Sequence, residues 1–190
     1  LNPKDPEFNS DEYIEAISKK FEKILELANK KHALVLVHFD QGLPPSSPSE
    51  VKGRLTGNLD TTKKLLDLAV KFPNAKLIIA HSGIYSFIGV NGLKYIGQFF
   101  QKHKNILRNV YLEISATIEM ANPQSADRLK AENEIVNAWR GFDTNYILFG
   151  SDYPAAKNID LPKSLTIEER NRILLSNGRS LLSGIARVAR

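Results

Sequence analysis

The sequence contains no cysteine, and that absence removes disulfides and thiolate zinc sites together. It fits a reducing compartment, so a cytoplasmic location is the expectation. Long hydrophobic runs are missing too. No stretch approaches the roughly 18 to 20 apolar residues that a membrane helix needs, and the opening "LNPKDPEFNSDEY" shows neither a signal-peptide pattern nor an initiator Met. The expectation is the interior of a longer or processed polypeptide with no membrane partner. Concentrated charge is also lacking. The formal net charge is +5, and the lysines are spread over helix faces instead of forming a dense stripe between aromatics, so no nucleic-acid partner is expected. What remains is ordinary for a globular protein: 42% apolar and 25% charged residues in a chain of 190, enough for one well-cored domain and short for two.

Strands and helices alternate along that domain. Ser10 is a suitable N-cap for a helix with Asp11 and Glu12 in its first turn, and Ile14, Ile17, Phe21, Ile24, Leu25 and Ala28 recur at helical spacing. The continuous run "ALVLVHFD" (33–40) then reads as a strand covered on both faces, as in a parallel sheet. A Pro- and Ser-rich loop (41–57) leads to a helix starting near Asn58 or Asp60, and "KLIIAH" (76–81) is the second strand. A helix through "GLKYIGQFFQKH", the strand "NVYLEIS" (109–115), a helix near 124–140 and the strand "NYILFGSD" follow. Thr166 and Glu169 make a capping box for the closing helices. Strands separated by helices imply parallel pairing through right-handed crossovers.

Three of the four strands finish on a group able to bind a metal or move a proton: His38, His81 and Asp152. Parallel α/β folds assemble their sites at the carboxyl ends of strands. Alternation along the strands groups Leu34 and Leu36 with His38, Leu77 and Ile79 with His81, and Leu148 and Gly150 with Asp152. Each set is apolar until its last member, as a packed core opening into a polar mouth requires. On the third strand either Glu113 or Ser115 can face that mouth. Two imidazoles and a carboxylate suit zinc, manganese or iron, which would acidify a bound water. Taken singly, a strand-end His is more often structural and a strand-end Asp more often a cap. His32 and His103 read as solvated surface residues, and Tyr85, Phe87, Phe99 and Phe100 as packing.

The segments "LVLVHFD", "FPNAKLIIAHSG", "NVYLEISAT", "YILFGSDYP" and "LTIEERNRILLSNGRSLL" resemble, in order, the second half of the amidohydrolase-related family of metal-dependent hydrolases and decarboxylases, from about residue 12 to 183. The resemblance implies the C-terminal half of a (β/α)₈ TIM barrel, with strands five to eight of the family fold in a single domain, 1–190. It implies that His38 is a metal ligand and that His81 is a ligand or a proton-transfer group. Asp152 would be a ligand that also handles the proton of the attacking water, and Asn177 a structural residue of the closing helix. The cofactor implied is a divalent metal, zinc first, with manganese or iron as alternatives.

The family's His-x-His pair, expected on a first strand, does not occur in these residues. Because a full barrel takes about 250 residues, the expectation is a fragment, with a homodimer as the obvious way to cover its edges. The function implied is hydrolysis of a C–N or C–O bond in a small-molecule substrate by metal-activated water, Asp152 and His81 managing protons. One alternative is decarboxylation or hydration of a small carboxylic acid, for which Arg54 is a candidate carboxylate anchor. The other is a non-catalytic half-barrel serving in assembly or binding.

Overall fold

The computed structural model describes residues 11–38, 63–83, 90–105, 107–115, 117, 128–151 and 161–188. Ser10, Arg54, Asn58, Asp60, Tyr85, Phe87, Asp152 and the loop 41–57 lie outside them.

The chain alternates as the sequence predicts. Helix α1 (Asp11–Lys31) precedes β1 (Leu34–Val37), and α2 (63–71) precedes β2 (Lys76–Ile79). Helix α3 (Val90–His103) precedes β3 (Val110–Glu113), and α4 (Arg128–Phe142) precedes β4 (Ile147–Leu148). Helix α5 (Ile167–Asn171) then runs through one π-helical turn (Arg172–Ser176) into α6 (Asn177–Val188). The four strands pair in parallel in the order β1-β2-β3-β4. Sequential order is what successive right-handed crossovers give when the sheet is winding into a barrel, so this is half of a (β/α)₈ fold.

Local chemistry explains the boundaries. After α1, His32 adopts a left-handed φ of 51°, and Ala33 N–H donates to the Ala28 carbonyl at 2.8 Å, which ends the helix in a turn more often made by glycine. At α5, Thr166 Oγ accepts from Glu169 N–H at 3.2 Å and the Glu169 carboxylate accepts from Thr166 N–H at 2.8 Å, so the capping box forms as predicted.

The main core lies between the sheet and the helices: Leu77, Ile79, Val110, Leu112 and Ile147 pack against Leu25, Leu66, Leu93, Ile96, Trp139 and Phe142. A smaller cluster joins Ile78, Tyr111 and Leu148 to Leu181 and Ile185 of α6. Register makes Leu36, Ile78 and Tyr111 one row, so this second cluster lies on the opposite face of the sheet, the inner face of the barrel. There Leu34 and Leu36 are 37% and 61% exposed. The expectation that β1 is covered on both faces therefore fails. Its helix-facing residues Val35 and Val37 pack on the core, but its inner-face leucines meet water.

Alternation also misassigned β2. Leu77 and Ile79 face the helices, and Ile78 is the inner residue. At the far end of the sheet the outward backbone groups of β4 are met from within the chain. Phe149 N–H donates to the Ile173 carbonyl at 3.2 Å, and Asn177 Nδ2 donates to the carbonyls of Ile147 and Thr144, both at 2.7 Å. Asn177 is thus structural in this fold, closing a sheet edge.

Candidate functional site

The carboxyl ends of β1, β2 and β3 converge. His38 follows β1 directly and, in phase with Leu34 and Leu36, belongs to the inner face. His81 reaches the same place by a different route. In strand phase it would follow Ile79 toward the helices, but Ala80–Gly83 forms a tight turn in which His81, Ser82 and Gly83 have φ of 52°, 53° and 69°. Three left-handed residues in succession carry the chain out of strand alternation and bring the His81 ring edge-on to the His38 ring, centroids 4.7 Å apart. Two consecutive non-glycine residues there are held by their surroundings. His81 and Ser82 are buried, Ser82 Oγ donates to the Glu113 carbonyl at 3.3 Å, and the Trp139 indole N–H donates to Ser82 Oγ at 3.1 Å.

Glu113, at the end of β3, gathers donors from both neighbouring turns. Its carboxylate accepts from Ser115 N–H at 2.5 Å, Ser115 Oγ at 2.7 Å and His81 N–H at 3.3 Å. Ser115 in turn meets the imidazole of His81: its carbonyl oxygen lies 2.8 Å and its Oγ 3.1 Å from Nδ1. The Glu113 carboxylate also rests against Gly150, two residues past β4, where a Cβ would overlap it. Thus the two residues that the sequence offers as alternatives at this strand end act together.

The structure brings together His38 and His81, and adds Ser82, Glu113, Ser115 and Gly150 around them. Asp152 lies outside the described residues, which reach Gly150 and Ser151 just before it. Among the described residues no three His, Asp or Glu side chains form a metal cage. Two features still suit a metal. The imidazoles are adjacent, and Nδ1 of His81 is turned onto a backbone carbonyl, the arrangement that orients a ligating histidine through its other nitrogen. His32 and His103 have other tasks. The first terminates α1, and the second stacks on Phe99 with centroids 4.2 Å apart while its Nδ1 meets the Phe99 carbonyl at 2.9 Å. Both are half-buried, where solvation was expected. Ser82 and Trp139 went unnoticed in the sequence; the "HSG" at the end of an apolar run was the available signal.

The amidohydrolase family model matches residues 23–181, most of the chain. The chain belongs to the amidohydrolase family. Among solved structures, this amidohydrolase-family chain is similar to a zinc-bound amidohydrolase from Burkholderia multivorans, with 14% identity and a TM-score of 0.57, over 86% of this chain and 57% of that one. It is also similar to the 2,6-dihydroxybenzoate decarboxylase from Rhizobium, with 16% identity and a TM-score of 0.54, over 93% of this chain and 56% of that one. A dihydroxybenzoic acid decarboxylase from Polaromonas sp. JS666, solved with manganese and 2-nitroresorcinol, gives 18% identity, a TM-score of 0.51 and 93% and 55% coverage. The chain therefore spans a little over half the length of the structures it matches. No curated protein sequence matches it. No helix among the described residues is long and apolar enough to cross a membrane.

Proposed function

We propose that this chain carries the second half of the active site of a metal-dependent hydrolase acting on a C–N or C–O bond of a small molecule. The observation that carries this reading is the meeting of His38 and His81 at adjacent strand ends, 4.7 Å between centroids, although the strand alternation of β2 alone would separate them. His38, His81 and Asp152 are the residues that would hold a divalent ion, zinc by preference and manganese or iron as alternatives. Such an ion supplies a positive charge that polarises a carbonyl-like centre and acidifies water. His81 and Asp152 are then the groups placed in sequence to take and return protons. Further ligands would come from outside these residues, because the family's His-x-His pair is not among them.

The test is calorimetric titration of metal-stripped protein with zinc or manganese. The expected outcome is one site per chain, weakened at least about tenfold by His38→Ala, His81→Ala or Asp152→Ala. No binding to the unaltered protein sinks the reading and leaves a non-catalytic half-barrel, for which His38→Ala and Asp152→Ala are tolerated in every measured activity.

The two decarboxylases among the solved relatives favour a second reaction at the same site, loss of carbon dioxide from a small aromatic acid. Carbon dioxide release from dihydroxybenzoates by metal-loaded protein, without turnover of amides or lactones, would select it. Arg54 is then the candidate carboxylate anchor, and Arg54→Ala should raise KM more than it lowers kcat.

A further inference from the structure

Nδ1 of His81 faces two oxygens of a single residue, the carbonyl of Ser115 at 2.8 Å and its Oγ at 3.1 Å. The carbonyl can only accept. The hydroxyl can donate or accept, and its choice is made by Glu113, whose Oε2 lies 2.7 Å away and is an acceptor for it. With the Ser115 proton directed at Glu113, both oxygens around Nδ1 are acceptors. A neutral imidazole then satisfies them only by carrying its proton on Nδ1, which leaves the lone pair on Nε2. The same carboxylate accepts from the backbone N–H of His81 and of Ser115. One side chain on β3 thereby steadies the left-handed turn that aims the ring and withdraws the one hydroxyl that could donate to Nδ1, so the tautomer demanded by the Ser115 carbonyl meets no competitor.

We propose that Glu113, acting through Ser115, is the positioning residue of His81. It holds the imidazole in the Nδ1–H form, with Nε2 as the basic nitrogen. The consequence for catalysis rests on the reading of His81 as a ligand or proton carrier; the tautomer itself does not. Gly150 belongs to the device, since any side chain there would push the carboxylate off its donors.

Nitrogen-15 NMR of the imidazoles tests this without metal or substrate. Spectra are recorded on the alkaline plateau, where the imidazole signals no longer change with pH, and the His81 signals are assigned by their loss in His81→Gln. The wild type is expected to show protonated Nδ1 and unprotonated Nε2. In Glu113→Gln the amide N–H₂ can donate to Ser115 Oγ, whose proton then turns to Nδ1, and the Nε2–H form should rise to a readily measured share. Glu113→Asp, which keeps an acceptor, should restore much of the wild-type pattern.

An Nε2–H wild type overturns the proposal. So does a folded Glu113→Gln, judged by unchanged Trp139 emission, that keeps the wild-type tautomer. If Glu113→Gln does not fold, Gly150→Ala, which displaces the same carboxylate, is read in its place, and a folded Gly150→Ala that keeps the wild-type tautomer overturns the proposal. A wild type that binds no zinc yet shows protonated Nδ1 overturns the metal reading and supports this one.

Discussion

At the scale of single residues, the site depends on small groups whose neighbours leave them no alternative. Ser82 is fully buried, and its hydroxyl both receives the Trp139 N–H and donates to the Glu113 carbonyl. Ser82→Ala strands the indole N–H in the core, and leaving a buried donor unpaired costs about 1–3 kcal/mol. The loss should appear as a lowered urea midpoint. Trp139 is the single tryptophan, so its fluorescence follows the transition. Gly150→Ala inserts a methyl group against a carboxylate already fixed by three donors, and overpacking of this kind costs about 1–3 kcal/mol. Restoring space with Glu113→Asp in the same chain should recover part of it, which a double-mutant cycle measures. The sequence made Gly150 conspicuous only as part of "FGSDYP". The reason for the glycine sits 37 positions earlier in Glu113, and a reading along the chain has no access to that pairing.

Between elements, the clearest polar connection links α4 to α5. Arg140 grips the Glu169 carboxylate through Nε and a terminal nitrogen, both at 2.8 Å, and also reaches the Ser164 carbonyl at 2.9 Å. The Arg140 hydrogen bonds, with the Thr166 backbone N–H adding to them, hold the Glu169 carboxyl down at about 2, against some opposition from burial. A depressed carboxyl contributes stability that is fully present above its unfolded value of about 4.3 and lost as pH falls toward about 2. Arg140→Met should therefore lower stability at neutral pH. Its deficit relative to wild type should shrink across that acidic window, as read from denaturation midpoints at several pH values. The element order and the Thr166–Glu169 cap were legible because helical spacing and capping chemistry are local. The inner phase of β2 was not. His81 and Ser82 take left-handed conformations usually signalled by Gly or Asn, and only Gly83 carried that mark. The contact between His38 and His81 was reached from the right residues by an alternation that does not hold at His81.

For the molecule as a whole, the two faces of the sheet differ. Leu77 is 1% exposed under the helices, whereas Leu36 is 61% exposed on the inner face. Leu77→Ala should cost about 2–5 kcal/mol, while Leu36→Lys should change stability by no more than about 0.5 kcal/mol; chemical denaturation separates the two. Composition could not foresee this asymmetry, because β1 reads as an unbroken apolar run whether or not anything covers it. The family resemblance did supply the half-barrel, and with it the reason that such a run exists on a face open to water here. The sheet also differs at its two margins. The outer margin of β4 is occupied by Ile173 and Asn177, so another chain seeking to add a strand there must first break bonds that the fold already makes. Stacking of copies front to back needs both margins, and one is withheld. A contact that cannot repeat in one direction cannot build a filament. The closing segment therefore keeps the β4 margin for contacts within the chain, and copies of it are not expected to polymerise through that edge.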